Sequence, residues 1–359
     1  GLLAERDARP TAAAPPTGPG ERPRWTTGEK YGVGTVADHG NPDPSRVWFT
    51  LTEGALTEAR FPRIDLMNLR TLDFLVDADD DAYTVRTHNE TRRDDETDTV
   101  ERTVRPAADD ALLYEQVVTE TGDGQGHEWR LRVEYAVDPD HEAIVADVSF
   151  ESLDGDDYDV YAVADVALTN TGTRDRGVRL GRAGSYHLAA RDETAYTGET
   201  SAPLLVDEDG EGYSVAFAMA AESRFDWATV GVAGSETLGG LFGDGDQPKS
   251  KGSVDDENVV LVGRLGQGAR TTETLALGFG RNADTAAALG EALGALSKGY
   301  EDVQTDYRES WQAFLDDKPL PAAVQGDTEL ANQYRAALMT LLAVEDKTYL
   351  GGSIASPSV

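Results

Sequence analysis

The chain has 359 residues, too many for one ordinary domain and enough for two or three. Its 66 acidic residues against 32 basic ones give a formal charge of −34. That balance argues against nucleic acid and anionic membrane surfaces as partners, because both are bound through Lys and Arg. The absence of cysteine excludes disulfides and thiolate metal sites.

Hydrophobic residues make up 39%, fewer than usual, yet strand-like apolar runs are frequent enough for a sizeable core. No run approaches the length of a membrane span. The acids fall in short bursts at 77–81, 94–98, 154–159, 207–211 and 255–257, between apolar runs, where turns belong. Lysine is scarce beside arginine. We read this as adaptation to high salt, where counter-ions screen the self-repulsion of the surface. A GC-biased coding sequence would explain the arginine but not the doubled acid count.

Gly1-Leu2-Leu3-Ala4 is too short for a signal h-region and is compatible with the remnant of one removed upstream, which tilts localisation toward secretion over the cytoplasm. The Pro- and Ala-rich stretch that follows makes residues 1–24 a flexible segment. From Trp25 to about residue 282 the pattern has period two. Val47, Phe49 and Leu51 alternate, as do Leu131, Val133, Tyr135 and Val137, then Ile144 to Phe150, Tyr213 to Met219, Val259 to Leu265 and Thr274 to Phe279. Alternation without intervening helices predicts antiparallel sheets, each with one buried face, packed as a large two-sheet sandwich over 25–282.

After Asn282 the period changes. Leu289, Leu293, Leu296, Tyr300, Val303, Tyr307, Trp311 and Phe314 form one stripe, a helical linker over 283–320 that is two helices or one bent one, given Gly290, Gly294 and Gly299. Lys318-Pro319-Leu320-Pro321 ends it. Asp327 or Thr328 then caps a further helix with Leu330, Tyr334, Leu338, Leu341 and Leu342 on its inner face, opening a unit over 321–359. Glu345 to Val359 carries a Gly pair, a short apolar run and Ser-Pro-Ser. Tails are usually polar, so this ending reads as a structured loop, the chain stopping as another domain begins.

That ending carries a resemblance. Glu345-Asp346-Lys347-Thr348-Tyr349 followed by Ile354-Ala355-Ser356 is similar to the start of the catalytic barrel in the bacterial and archaeal glucoamylases and glucodextranases, glycoside hydrolase family 15. Pro23-Arg24-Trp25-Thr26-Thr27-Gly28, Gly32-Val33-Gly34-Thr35, Ser45 to Leu51, Gly54 to Glu58 and Phe61-Pro62-Arg63-Ile64-Asp65 resemble the family's early sandwich. Asn68-Leu69-Arg70, Asp73 to Val76, Glu257 to Leu261 and Leu277 to Arg281 continue the match in order. The resemblance implies a super-sandwich, linker helices and the first helix of an (α/α)6 barrel. It implies an inverting exo-acting hydrolase that releases glucose from α-glucans. Inversion needs two carboxyls on the order of 6.5–9.5 Å apart, one kept protonated by its surroundings. Both family glutamates fall beyond Val359. No catalytic residue, metal ligand or cofactor is therefore assigned, substrate-binding residues are left unassigned, and this stretch is expected to be inactive structural support. A glucan substrate would be met through the downstream barrel. The alternative is a non-catalytic carbohydrate-binding or surface-assembly sandwich.

Other candidates read as structure. Asp154/Asp156 and Asp255/Asp256 suit solvated turns, and neither Asp154–Asp157 nor Asp207–Gly210 has a full calcium-loop spacing. His39, His88, His127, His141 and His187 show no metal spacing. Gly351-Gly352-Ser353-Ile354-Ala355 lacks the strand before and helix after that a nucleophile elbow needs. Gly122 to Gly126 suits a hairpin loop rather than a phosphate cradle. Trp129, Trp227 and Tyr186 suit core or cross-strand packing better than a sugar platform. Asn89-Glu90-Thr91 is a glycosylation acceptor if the chain is exported.

Overall fold

In the computed structural model the described residues are 26, 29–37, 41–78, 83–88, 99–122, 126–172, 174–193, 213–235, 241 and 250–355, without the side chain of Asp256. The strands in chain order are β1 (Gly32–Gly34), β2 (Trp48–Thr52), β3 (Ala55–Arg60), β4 (Met67–Ala78), β5 (Thr84–Arg86) and β6 (Val100–Pro106). Next come β7 (Tyr114–Glu120), β8 (Trp129–Val137), β9 (Ala143–Ser152), β10 (Tyr158–Val166), β11 (Asp175–Arg182) and β12 (Ser185–Asp192). β13 (Val215–Ala221), β14 (Ala228–Val232), β15 (Ser253–Glu257), β16 (Val259–Gly268) and β17 (Arg270–Arg281) complete them. A single 3-10 turn, Leu168–Asn170, separates β10 from β11.

The strands form two antiparallel sheets. One has 8 strands in the order β1-β2-β3-β4-β10-β16-β14, with β5 on β4, and the other has 9 in the order β15-β11-β12-β13-β17-β9-β8-β7-β6. Between them lies one continuous apolar core that includes Phe49, Phe61, Phe74, Trp129, Tyr135, Phe217 and Phe279. The fold is thus mainly β, a two-sheet sandwich with helices at its C-terminal end.

Single-faced burial holds along β8 and in the adjoining parts of β9 and β17. β10 and β13 are buried along their whole length and β4 along almost all of it. The expectation of one buried face per sheet is corrected there, because both outer faces are covered. Leu75, Tyr161, Val163, Val260 and Val262 pack under Trp227, Ala233 and Leu241. Ala189, Ala216 and Ala218 pack under Ala288 of the first helix.

That helix, α1 (Thr285–Lys298), starts on Asp284, whose carboxylate accepts the Ala286 and Ala287 amides at 2.9 and 3.0 Å. α2 (Tyr300–Asp316) follows after Gly299, whose φ of 84° and ψ of 152° break the helical path. Two helices are found, and the face that α1 buries differs from expectation. Ala288, Ala292 and Ala295 are buried, whereas Leu293 is 36% exposed. The reason is close approach: a Cβ at Gly278 would lie 2.1 Å from the Ala288 carbonyl oxygen. A Gly row on β17 and an Ala row on α1 let backbone meet backbone, which no leucine would permit.

α2 buries Val303, Tyr307, Trp311 and Phe314 as its pattern predicts. Its polar atoms are also placed: Trp311 Nε1 donates to the Thr35 carbonyl at 3.0 Å, and the Tyr307 hydroxyl to that of Leu112 at 2.9 Å. α3 (Thr328–Ala343) is capped by Asp327, which accepts the Leu330 amide at 3.1 Å. Its buried residues are Ala331, Met339 and Ala343, with Leu338 and Leu342 beside the core. Leu330 and Leu341, expected inside, are 44% and 66% exposed. They lie about 100° round the helix from Ala331 and Leu342, so they cannot share the face turned to the sandwich. No helix among the described residues is long and apolar enough to cross a membrane.

Candidate functional site

The segment after α3 folds back on itself and seats on one end of the sandwich. Asp346 N–H donates to the Gly352 carbonyl at 2.8 Å and Ile354 N–H to that of Val344 at 3.1 Å. Asp346 organises the turn: Oδ1 accepts the Thr348 and Tyr349 amides at 2.8 and 2.6 Å, as an N-cap side chain would. Its other oxygen, Oδ2, accepts the Ile64 amide at 2.9 Å from the loop between β3 and β4. One buried carboxylate therefore ties two segments that lie far apart in the chain.

The next residues add to the junction. Lys347 Nζ donates to the Ser45 carbonyl at 2.9 Å and to Thr35 Oγ1, and lies 4.9 Å from the centre of the Trp48 ring. Such a cation over an indole face gains electrostatically from the ring quadrupole. The Thr348 hydroxyl donates to the Pro62 carbonyl at 2.9 Å. Arg63 lies between two phenol rings, 5.5 Å from that of Tyr213 and 5.1 Å from that of Tyr349. Its guanidinium is held bidentately by Asp65 at 2.9 and 2.6 Å. Burial, then the hydrogen bond with Tyr349, pushes the Tyr213 hydroxyl up to about 12. The Tyr213 phenol therefore stays neutral near pH 7.

Behind this junction Glu142 accepts the Arg46 amide at 2.6 Å and the Ser45 hydroxyl at 3.2 Å. Burial raises its pKa, and the hydrogen bonds it accepts work against that rise. Glu142 N–H in turn donates to Glu291 of α1 at 2.9 Å. Linker helix, sandwich loops and C-terminal segment therefore share one polar scaffold. The surface beyond it is apolar: Tyr349 is 46% exposed and Leu350 84%.

The other sequence candidates take structural places. Asp154 accepts from Tyr158, Glu128, Asp156 and Ser152 at 2.5, 2.6, 2.8 and 2.7 Å, closing the turn that carries the chain from β9 in one sheet to β10 in the other. Burial raises its pKa, but those donors outweigh burial and hold it at about 2. Asp255 pairs with Arg176 at 2.9 Å. Trp129 is fully buried with Nε1 on the Tyr83 hydroxyl at 2.8 Å, Trp227 meets the Tyr161 ring at 5.5 Å, and Tyr186 lies under Arg179 at 4.4 Å. Each of the three thus makes the packing contacts of a core or cross-strand aromatic. His88 meets the Glu53 carbonyl at 3.2 Å, His127 stacks on Tyr83 at 3.9 Å, His141 meets Asp138 at 2.8 Å, and His187 is buried. Among the described residues no group of three or more His, Asp or Glu could hold a metal ion. Ser353 bridges to Glu345 rather than topping an elbow. His39, Asn89-Glu90-Thr91, Asp207–Gly210, Asp123–Gln125 and Trp25 lie outside the described residues.

The sequence pattern missed Arg63, Tyr213, Asp346 and Lys347 as one cluster. The available signal was the Glu345–Tyr349 segment itself, a dense polar run directly after an apolar helix.

Comparison with known proteins agrees with this architecture. A family model described as glucodextranase, domain N, matches residues 15–316. A glucoamylase of Clostridium sp. (strain G0005) is 26% identical over 349 residues, which is 95% of this chain and 43% of that protein. The crystal structure of a bacterial glucoamylase complexed with acarbose has a TM-score of 0.73 at 21% identity, covering 96% of this chain and 45% of that one. The chain thus spans less than half the length of both relatives. With the match running through every described strand and through α1 and α2, the chain belongs to the glucodextranase N-domain family.

Proposed function

We propose that this chain is the sandwich, linker and first barrel helix of a glucoamylase-type enzyme, an inverting exo-acting glycoside hydrolase that releases glucose from α-glucans. On this reading residues 25–282 are the sandwich, 283–320 the linker and 321–359 the start of the α/α barrel, and the catalytic glutamates belong to polypeptide after Val359. The role of this stretch is to brace the barrel and to hold one rim of its pocket. One observation carries the reading. The Asp346–Thr348 segment is pinned to the sandwich by hydrogen bonds, while Leu330 and Leu341 of the preceding helix and Leu350 of the segment itself are left exposed. An apolar helix side next to a rigidly docked loop suits further helices packing there.

The test is glucose release from soluble starch at multimolar salt. The 359 residues alone should release none. A chain extended through the following few hundred codons should release glucose with inversion at the anomeric carbon. Activity of the 359-residue chain alone would refute the placement of the chemistry.

A further inference from the structure

Asp175 in β11 and Asp192 in β12 face each other directly across the ladder. They are 0% and 5% exposed. Like charges placed opposite each other in a sheet repel, and burial removes the water that would screen them. Among the described residues only neutral donors serve the pair. The Leu168 amide donates to Asp175 Oδ2 at 3.3 Å, the Thr169 hydroxyl to Asp192 Oδ2 at 2.9 Å, and the Val215 amide to Asp192.

Charged side chains on neighbouring elements are engaged elsewhere or turned to solvent. On β15, Asp255 pairs with Arg176 and Glu257 is exposed. At the strand ends Arg174 is exposed, and Arg191 pairs with exposed Glu193. The 3-10 turn, Asn68 of β4, Val215 of β13 and Asn258–Val259 bring no charge. With both groups ionised, Asp175 Oδ1 is buried with no donor. With one proton present, Asp175 would have a hydrogen to donate to Asp192 across the ladder. Burial, then the Asp192 charge, raises Asp175 well above the ordinary 3.8. Burial likewise lifts Asp192, to about 6.

The pair is linked to the junction by a short strut. Thr169 N–H donates to Asn68 Oδ1 at 3.0 Å, and Asn68 Nδ2 donates to the Phe61 and Leu66 carbonyls at 2.6 and 3.0 Å. Asn170 holds the same loop, accepting the Met67 amide at 2.7 Å and donating to the Asp65 carbonyl at 3.0 Å. Thr169 and Asn170 have φ of 51° and 66°, a left-handed turn that a β-branched residue adopts only when its surroundings fix it. The loop so held, 61–66, presents the Ile64 amide to Asp346 and the Pro62 carbonyl to Thr348.

We propose that Asp175 and Asp192 share a single proton near neutral pH, and that this proton sets the Thr169–Asn68 strut that positions the 61–66 loop under the C-terminal segment. The pair is then a built-in pH sensor of the junction. It stands on contacts within this chain and does not depend on the proposed glucan hydrolysis.

The test compares the 359-residue chain with Asp175→Asn, whose amide supplies the same hydrogen to Asp192 at every pH. A group with a raised native pKa stabilises fully below its unfolded value and loses that contribution as pH rises through the native one. From pH 5 to 7 the unfolding constant of the wild type should therefore rise about tenfold per pH unit relative to the variant. Amide exchange at Phe61 and Thr169 should accelerate over the same range in the wild type and less in the variant. A flat difference would overturn the shared proton. A slope without the exchange change would overturn the strut. Stabilisation of the wild type alone by millimolar calcium would replace the proton with a cation. If Asp175→Asn fails to fold, Asp192→Asn removes the same charge conflict and is judged on the same slope.

Discussion

Asp346→Ala tests the junction most directly. The substitution removes one buried carboxylate that accepts three backbone amides, those of Ile64, Thr348 and Tyr349. A hydrogen bond to a charged group contributes about 1.5–3 kcal/mol, and a buried donor left unmet costs a similar amount. The contributions do not add, and Tyr349 lies at the surface where water replaces the lost acceptor. Roughly 3 kcal/mol of local docking free energy should be lost, about two powers of ten in the local opening constant. Hydrogen exchange at the Ile64 amide reads that constant, and limited proteolysis between residues 345 and 355 reads it independently. Global unfolding should move much less, because the sandwich core is untouched. Ile64 protection within threefold of wild type, with unchanged proteolysis, would refute the claim that Asp346 is the tie between the segments.

Two further predictions follow from particular positions. Gly278→Ala and Gly290→Ala are the same chemical change with opposite expected signs. At Gly278 the new methyl would meet backbone atoms of α1 at 2.1 and 2.6 Å, so α1 must lift and about 3 kcal/mol is lost. At Gly290 nothing lies within 4 Å, so alanine should stabilise α1 by about 1 kcal/mol. Urea unfolding of both variants checks the pair, and equal shifts would show that α1 does not sit flat on β17. The charge of −34 predicts that thermal midpoints climb by several degrees between 0.1 and 2 M potassium chloride, as the surface self-repulsion is screened. A midpoint that falls or stays level over that range would remove the high-salt reading.

Much of the architecture is legible along the chain because it depends on neighbours. The alternation over Leu131–Val137 marks β8, the stripe from Val303 to Phe314 marks the buried side of α2, and Asp327 caps α3 as its position suggests. The inner face of α1 differs from the sequence expectation because hydrophobicity alone ranks Leu293 above Ala292. Ranking by size fails where a helix must lie within backbone contact of a strand, as the space at Gly278 requires. Double burial of β10 and β13 was likewise hidden, since a strand does not record what lies over its second face.

The amino-acid order by itself determined the strand-rich body, the change of period after Asn282 and the acidic surface. Each of these follows from local backbone geometry, or from composition. Only the tertiary structure decided that Lys347 meets Ser45, that Asp346 meets Ile64, and that Asp175 faces Asp192. Those pairings depend on sheet register and on how distant segments close over one core, and a one-residue slip in register would turn every such side chain to the opposite face.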